Sequence, residues 1–399
     1  MASQNQGVSE EIQGVLSALH AALPTIAEAA PQGEKERRVS PEVMQLLRET
    51  GALDVCRPKR FGGPEASLRE MLEVSSLIGT ADGGTAWTVM LANVGSWLAA
   101  LLPTEAQQEI FAPNKDVIVT GVLAPTGVAT PVDGGFKVSG KWFYNSGSWY
   151  SDWGIVGFPV FDEAGNLVNQ AIAYIRREEY EIEETWFVAG MKASASNAIE
   201  ATDVFVPEHR VLYLPPAIEG SYPSETASDE PAHRAAFVPV LAAVLLGPTL
   251  GVAEAALRYV ADKAASKSVA YTFFSSQSES AAVQIEIARA AQIIDSCRAL
   301  LFDVADRVDN WAAEGVYPDF AERARIRGNV GFISEQLPLA VEKLTVAHGS
   351  AAYGDSSPLQ RYWRDAKVGA SHAVVNPLVG FETHGKALVG AEGQITPLI

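Results

Sequence analysis

The residues of this chain best suited to chemistry stand in two short stretches. The first, LQRYWRDAKVGASHAVVNP from Leu359 to Pro377, brings Arg361, Arg364, Asp365 and His372 into one segment. A histidine of ordinary pKa can take or give a proton near neutral pH. His372 follows Asp365 by seven residues, about two turns away if one helix carries both. Gly369, Ala370 and Ser371 lead up to the imidazole, and such small side chains leave room for a flat ligand. The second stretch, GGFKVSGKWFYNSGSWYSDW from Gly134 to Trp153, sets Trp142, Tyr144 and Trp149 around Asn145-Ser146-Gly147. With Trp87, these aromatics can wall an apolar pocket, and the Ser146 hydroxyl can hydrogen-bond a ligand. Each residue taken singly also has a plain structural reading: a packed core ring for His372 and the aromatics, a turn hydroxyl for Ser146.

The elements that must position these residues fall into three blocks. Residues 1–115 read as helices. Ser40-Pro41-Glu42 is an N-cap followed by proline at the first helical position, and Val43, Leu46 and Leu47 follow with amphipathic spacing. Leu68–Ile78 and Thr85–Leu101 continue as helices, the second apolar nearly all round and therefore buried. From residue 116 to 214 the segments are short and β-branched, and Asp133-Gly134-Gly135 marks a hairpin turn. Residues 215–232 are a polar connection, and 233–399 return to long helical patterns. The fold class is α+β, mostly α.

Composition narrows the function. The chain has 399 residues, 48% hydrophobic and 20% charged, which suits a globular core. A net charge of -18 disfavours nucleic acid and anionic membrane surfaces as partners. The apolar run Phe237–Ala253 is interrupted by Pro239 and Pro248 and reads as a buried helix. Cys56 and Cys297 are isolated, and the six histidines are scattered, so neither a disulfide framework nor a metal cluster is expected. The N-terminal residues show no basic region followed by an apolar run, which favours a cytoplasmic location. No Gly-rich fingerprint follows a strand, so a nicotinamide site has no support.

Four motifs in order extend this reading. GTADGGTAWTVM (Gly79–Met90), the Gly134–Trp153 stretch, GMKASASNAIEATDVFVPEHRV (Gly190–Val211) and the Leu359–Pro377 stretch together resemble the acyl-CoA dehydrogenase superfamily. The resemblance covers residues from about 40 to 390. It implies that superfamily's fold: a helical domain, a central β-domain and a helical bundle. The dehydrogenases commonly carry their catalytic Glu in an EGT motif soon after Arg-Asp. Here Ala373 stands at that place, and His372 stands one residue earlier. That pattern is similar to the two-component (group D) flavin-dependent monooxygenases.

The resemblance implies reduced FAD, with FMN as an alternative, together with O2 and a separate NAD(P)H:flavin reductase. It further implies a phenol- or indole-type substrate oxygenated through a flavin C4a-hydroperoxide, and a homotetramer. By family position, Thr120, Val122, Ala124, Asn145, Ser146, Gly147, Ser194 and Ser196 would contact the flavin, and His372 would act as the base that activates the substrate. Trp87, Trp142, Tyr144 and Trp149 would line the substrate pocket. Three other readings stay open: an acyl-CoA dehydrogenase with an unusual base, an amine or amino-sugar N-oxygenase, and a non-enzymatic flavin binder.

Overall fold

The computed structural model describes residues 7–162, 164–226 and 229–399. Residues 1–6, the start of the stretch without a leader pattern, lie outside the described residues. Five helices come first: α1 (Glu10–Glu36), α2 (Pro41–Glu49), α3 (Leu68–Gly79), α4 (Gly83–Ala100) and α5 (Thr104–Phe111). Their starts follow side-chain chemistry. Ser40 accepts from Val43 N–H, Ser67 and Glu70 form a reciprocal capping box, and Asp82 accepts from Thr85 N–H. α4 is buried on every face, as its continuous apolar composition requires.

Among the described residues, eight strands follow: β1 (Val119–Val122), β2 (Val128–Val132), β3 (Gly135–Asn145), β4 (Trp153–Phe161), β5 (Leu167–Arg176), β6 (Glu181–Glu183), β7 (Asn197–Pro207) and β8 (Val211–Tyr213). They form two four-stranded sheets, ordered β1-β4-β5-β8 and β2-β3-β7-β6. Among the described residues, only the β1–β4 pair is parallel. The Asp133-Gly134 turn joins β2 to β3 as the sequence predicts, with Gly134 at φ 75. Phe136, Val138, Trp142, Phe158, Ile175 and Ile199 fill a small separate core of the strand region.

Seven further helices follow among the described residues: α6 (Leu214–Ile218), α7 (Phe237–Val244), α8 (Leu246–Ala264), α9 (Ala281–Glu314), α10 (Phe320–His348), α11 (Pro358–Gly369) and α12 (Pro377–Val389). Phe237–Ala264 is apolar enough to cross a bilayer, yet 83% of its most apolar window is buried within the protein. Its composition is therefore accounted for by core packing. It packs hard on α3. A Cβ on Gly251 would lie 2.0 Å from the Ser76 carbonyl oxygen, and one on Gly79 would lie 2.6 Å from that of Pro248. Gly251→Ala is therefore expected to destabilise the protein by about 1–3 kcal/mol through forced separation of two helices. Chemical denaturation would measure it, and an unchanged midpoint would refute the close crossing.

Candidate active site

The strand β3 decides which side chains reach the site. Trp142, Phe136 and Val138 point into the strand core, and alternation alone would send Tyr144 the same way. The register against β7 slips between Trp142 and Asn145, where Tyr144 adopts φ 73 as the extra residue of a bulge. The slip throws the Tyr144 ring outward, 68% exposed, against Trp186 and turns Asn145 fully inward. One expectation is corrected here. Trp142 does not line the pocket: it is fully buried in the strand core and donates Nε1–H to the Gly157 carbonyl at 2.7 Å. Tyr144 faces outward, and Trp149, in the turn after Ser148, is 37% exposed. The Tyr144 ring packs on Phe143 and Trp186 and not on the histidine or serine groups described next.

Other predicted residues do come together. Trp87 on α4 donates its indole N–H to Ser146 Oγ at 3.1 Å. Ser146 Oγ lies 2.7 Å from Ser196 Oγ, which lies 2.7 Å from Ser194 Oγ. Three hydroxyls thus share two mutual hydrogen bonds, and the indole can only donate. One hydroxyl proton of the chain is left over for an outside acceptor. The turn geometry that gathers these groups is tightly laced. Gly147, at φ 75, donates its N–H to Ser194 O at 2.7 Å, and Ser148 Oγ donates to Ala195 O at 2.9 Å. A Cβ at position 147 would stand 3.4 Å from Cγ2 of both Thr88 and Thr120, so β1 borders the same turn. Val122 is half-buried and Ala124 exposed further along that edge.

His372 sits across from this chain. Its ring centroid is 5.9 Å from that of Trp87. One helix does not carry both Asp365 and His372: α11 ends at Gly369, and His372 is extended at φ -62, ψ 136. Side chains of α10 hold the segment just beyond the helix end. Ser334 Oγ donates to Ala370 O at 3.0 Å, and Arg327 donates to Val374 O. The room beside Gly369 is also not left for a ligand. Met191 Cε and Thr249 Oγ1 would each lie 2.8 Å from a Cβ there.

The imidazole has a defined chemical state. Burial pushes its pKa down to about 4, so it is neutral at pH 7. Nδ1 accepts from Val374 N–H at 3.3 Å, and a backbone N–H can only donate. The proton of the neutral ring is therefore on Nε2, which has no protein partner among the described residues. The free edge of His372 is a donor. A base at this edge would need the Nδ1–H tautomer, whereas with Val374 N–H on Nδ1 the edge that His372 presents is Nε2–H.

That shift makes the stability of the fold depend on pH. An unfolded histidine near 6.5 binds a proton that the folded one refuses until about pH 4. Its contribution to stability is present above pH 6.5 and is lost as pH falls toward 4. His372→Gln is therefore expected to lose less stability than wild type between pH 7 and 4.5. Urea midpoints at both pH values check this, and a constant difference between the two proteins would refute it.

The residues present fit a flat, polar-edged cofactor. Thr120 Oγ1 and both side-chain polar atoms of Asn145 are buried without a partner. They flank the hydroxyl chain and its spare proton. Sequence reasoning missed Asp82 and Met191. Asp82 precedes Gly-Gly-Thr, an N-cap pattern that was legible, whereas Met191 contributes only its backbone and leaves no residue-type signal. His384 packs against Gly328 of α10.

Away from this cluster, Glu105, Glu109 and His209 gather closely. Each histidine nitrogen faces a different carboxylate, and Arg210 pairs with Glu109, so the group closes on itself as an ion-pair network. A cavity of about 610 Å³ lined by Pro103, His209, Tyr213 and Tyr222 shares no residue with the Ser146–His372 cluster.

Comparison with known proteins agrees with this architecture. The chain matches the N-terminal domain of acyl-CoA dehydrogenase over residues 15–114 and its C-terminal domain over residues 243–377. It belongs to the acyl-CoA dehydrogenase superfamily, in the branch of flavin-dependent monooxygenase oxygenase components. One relative is the flavin-dependent monooxygenase oxygenase subunit HsaA of Rhodococcus jostii (strain RHA1), 30% identical over 93% of this chain and 97% of that protein. The oxygenase component of p-hydroxyphenylacetate 3-hydroxylase from Acinetobacter baumannii is 29% identical over 97% of this chain and 92% of its own. Among solved structures, XiaF from Streptomyces sp. in complex with FADH2 and glycerol superposes with a TM-score of 0.92 at 30% identity, covering 97% of this chain and 98% of that one. The nitrososynthase of Micromonospora carbonacea var. africana shares the fold at 17% identity and a TM-score of 0.79.

Proposed function

We propose that this chain is the oxygenase component of a two-component flavin-dependent monooxygenase that hydroxylates a phenol- or indole-type ring. The observation that carries the reading is the buried Trp87–Ser146–Ser196–Ser194 chain with one proton to spare, facing a neutral histidine. When bound, a reduced flavin supplies the two electrons with which one atom of O2 enters the ring and the other leaves as water. FAD is the preferred form, since a relative of 30% identity is known with FADH2. Thr120, Asn145, Ser146, Gly147, Ser194 and Ser196 would hold it.

The chain's own residues then have separate tasks. The serine hydroxyls donate one hydrogen bond toward the cofactor edge. His372 Nε2–H donates to the substrate oxygen, which favours the phenolate form and makes the ring carbon more nucleophilic. Trp87 fixes Ser146 and closes the pocket against water. Exposed apolar residues along one side of α10, Phe332, Leu339 and Val346 at i, i+7 and i+14, suit a contact between copies of the chain, and a homotetramer is the assembly we propose.

The electrons must come from a separate reductase that oxidises NADH or NADPH. The isolated protein is expected to leave NADH untouched, and to form hydroxylated product from an aromatic substrate once a generic flavin reductase and FAD are added. Steady NADH oxidation by the protein alone would overturn the reading. Reduction of its bound flavin by an acyl-CoA would return it to the dehydrogenases.

A further inference from the structure

Asp365 is buried, 3% exposed, under the N-terminus of α4. A Cβ on Gly83 would stand 3.0 Å from its Oδ2. Its other oxygen, Oδ1, accepts from Met191 N–H at 2.5 Å, across 174 residues of sequence. Met191 opens the turn that carries Ser194 and Ser196. It holds φ 52, and Ala195 holds φ 47, a left-handed conformation that side chains other than glycine rarely adopt. Two such residues within one short turn persist only when the surroundings over-determine them. Here the surroundings are α11. A Cβ on Gly190 would lie 2.3 Å from Arg364 O, and the Arg364 guanidinium donates to Ala189 O. The hydroxyls of Ser194 and Ser196 reach Ser146 only while this turn keeps its place.

We propose that Asp365 is a positioning residue for oxygen transfer: through Met191 N–H it holds the 190–196 turn so that Ser196 meets Ser146. The carboxyl touches none of the reacting atoms and acts through the hydroxyl chain. Burial and the neighbouring Asp82 carboxylate favour its protonated form, which keeps a carbonyl oxygen for the Met191 N–H. An amide of the same shape offers the same acceptor, which makes Asp365→Asn the conservative control.

The role in oxygen transfer rests on the reduced-flavin reading of the site, whereas the role in holding the turn does not. The test uses the full chain and two measurements. Amide hydrogen exchange without flavin reports the turn, and product against H2O2 per reduced FAD reports coupling. Asp365→Ala is expected to raise exchange in peptides covering 190–197 by roughly tenfold or more, the effect of losing a hydrogen bond to an ionisable group. It should also divert reduced FAD from product to H2O2 with an unchanged KM for the substrate. Asp365→Asn should hold both near wild type.

Wild-type exchange in a folded Asp365→Ala protein overturns the proposal, and so does an Asp365→Asn turn as loose as that of Asp365→Ala. If Asp365→Ala does not fold, Gly190→Ala displaces the same turn from α11 and should give the same loosening and the same H2O2. Wild-type exchange in that variant would likewise overturn the proposal. If wild type itself forms no hydroxylated product with any aromatic substrate, the functional reading fails, while the exchange measurement still decides the role of Asp365 in the turn.

Discussion

His372→Ala should form hydroxylated product roughly 10²-fold more slowly than wild type, the usual loss for one donor aimed at developing negative charge. His372→Gln should fall by only about tenfold, because its side-chain amide still presents an N–H. The distinction rests on the tautomer. The ring is held neutral by burial, Val374 N–H occupies Nδ1, and only Nε2–H is free. A donor stabilises the phenolate oxygen that activates the ring carbon. A base would be lost equally in both variants.

Single-turnover product formation with reduced FAD, followed across pH 6–9, separates the two roles. For a donor whose own pKa lies near 4, no histidine ionisation falls in that range. The profile should carry the substrate's ionisation instead. Equal losses in the Ala and Gln variants, with a wild-type ionisation near 6.5, would assign His372 as a base.

Ser146→Ala should turn most of the reduced flavin to H2O2, lowering product per flavin by roughly fivefold or more, as expected for a lost hydrogen bond worth about 1 kcal/mol or more. Ser146 is the link between two donors. Its removal leaves the buried Trp87 indole N–H without an acceptor and cuts the Ser196–Ser194 pair away from the indole. The spare proton of the chain then no longer reaches the Ser146 side. Flavin should still bind, because Thr120 and Asn145 are untouched. Paired measurement of product and H2O2 checks this, and wild-type coupling in a folded Ser146→Ala protein would remove the hydroxyl chain from the mechanism.

The sequence by itself determined the helices, the hairpin and the family. Apolar spacing marked α2 and α3, continuous apolar composition marked α4 as a buried helix, and Asp-Gly-Gly marked the β2–β3 turn. Those signals are local: a capping hydroxyl or a glycine acts within a few residues of itself. Motif order also singled out Ser146, Ser194, Ser196, Trp87 and His372, which the fold gathers.

Only the tertiary structure decided how these residues act. The bulge at Tyr144 reversed the alternation of β3, because the extra residue is set by pairing with β7, more than 50 residues later in the chain, and not by its own neighbours. Trp142, ahead of the bulge, kept the alternation of Phe136 and Val138 and went into the strand core, which exists only once the two sheets pack. Ser334 and Arg327 on another helix bind the Ala370 and Val374 carbonyls on either side of His372, whose extended backbone lets Val374 N–H reach Nδ1 and leaves Nε2–H free. Residue type announces that a histidine can carry a proton. Which nitrogen carries it depends on the one backbone N–H that the folded chain sets beside the ring.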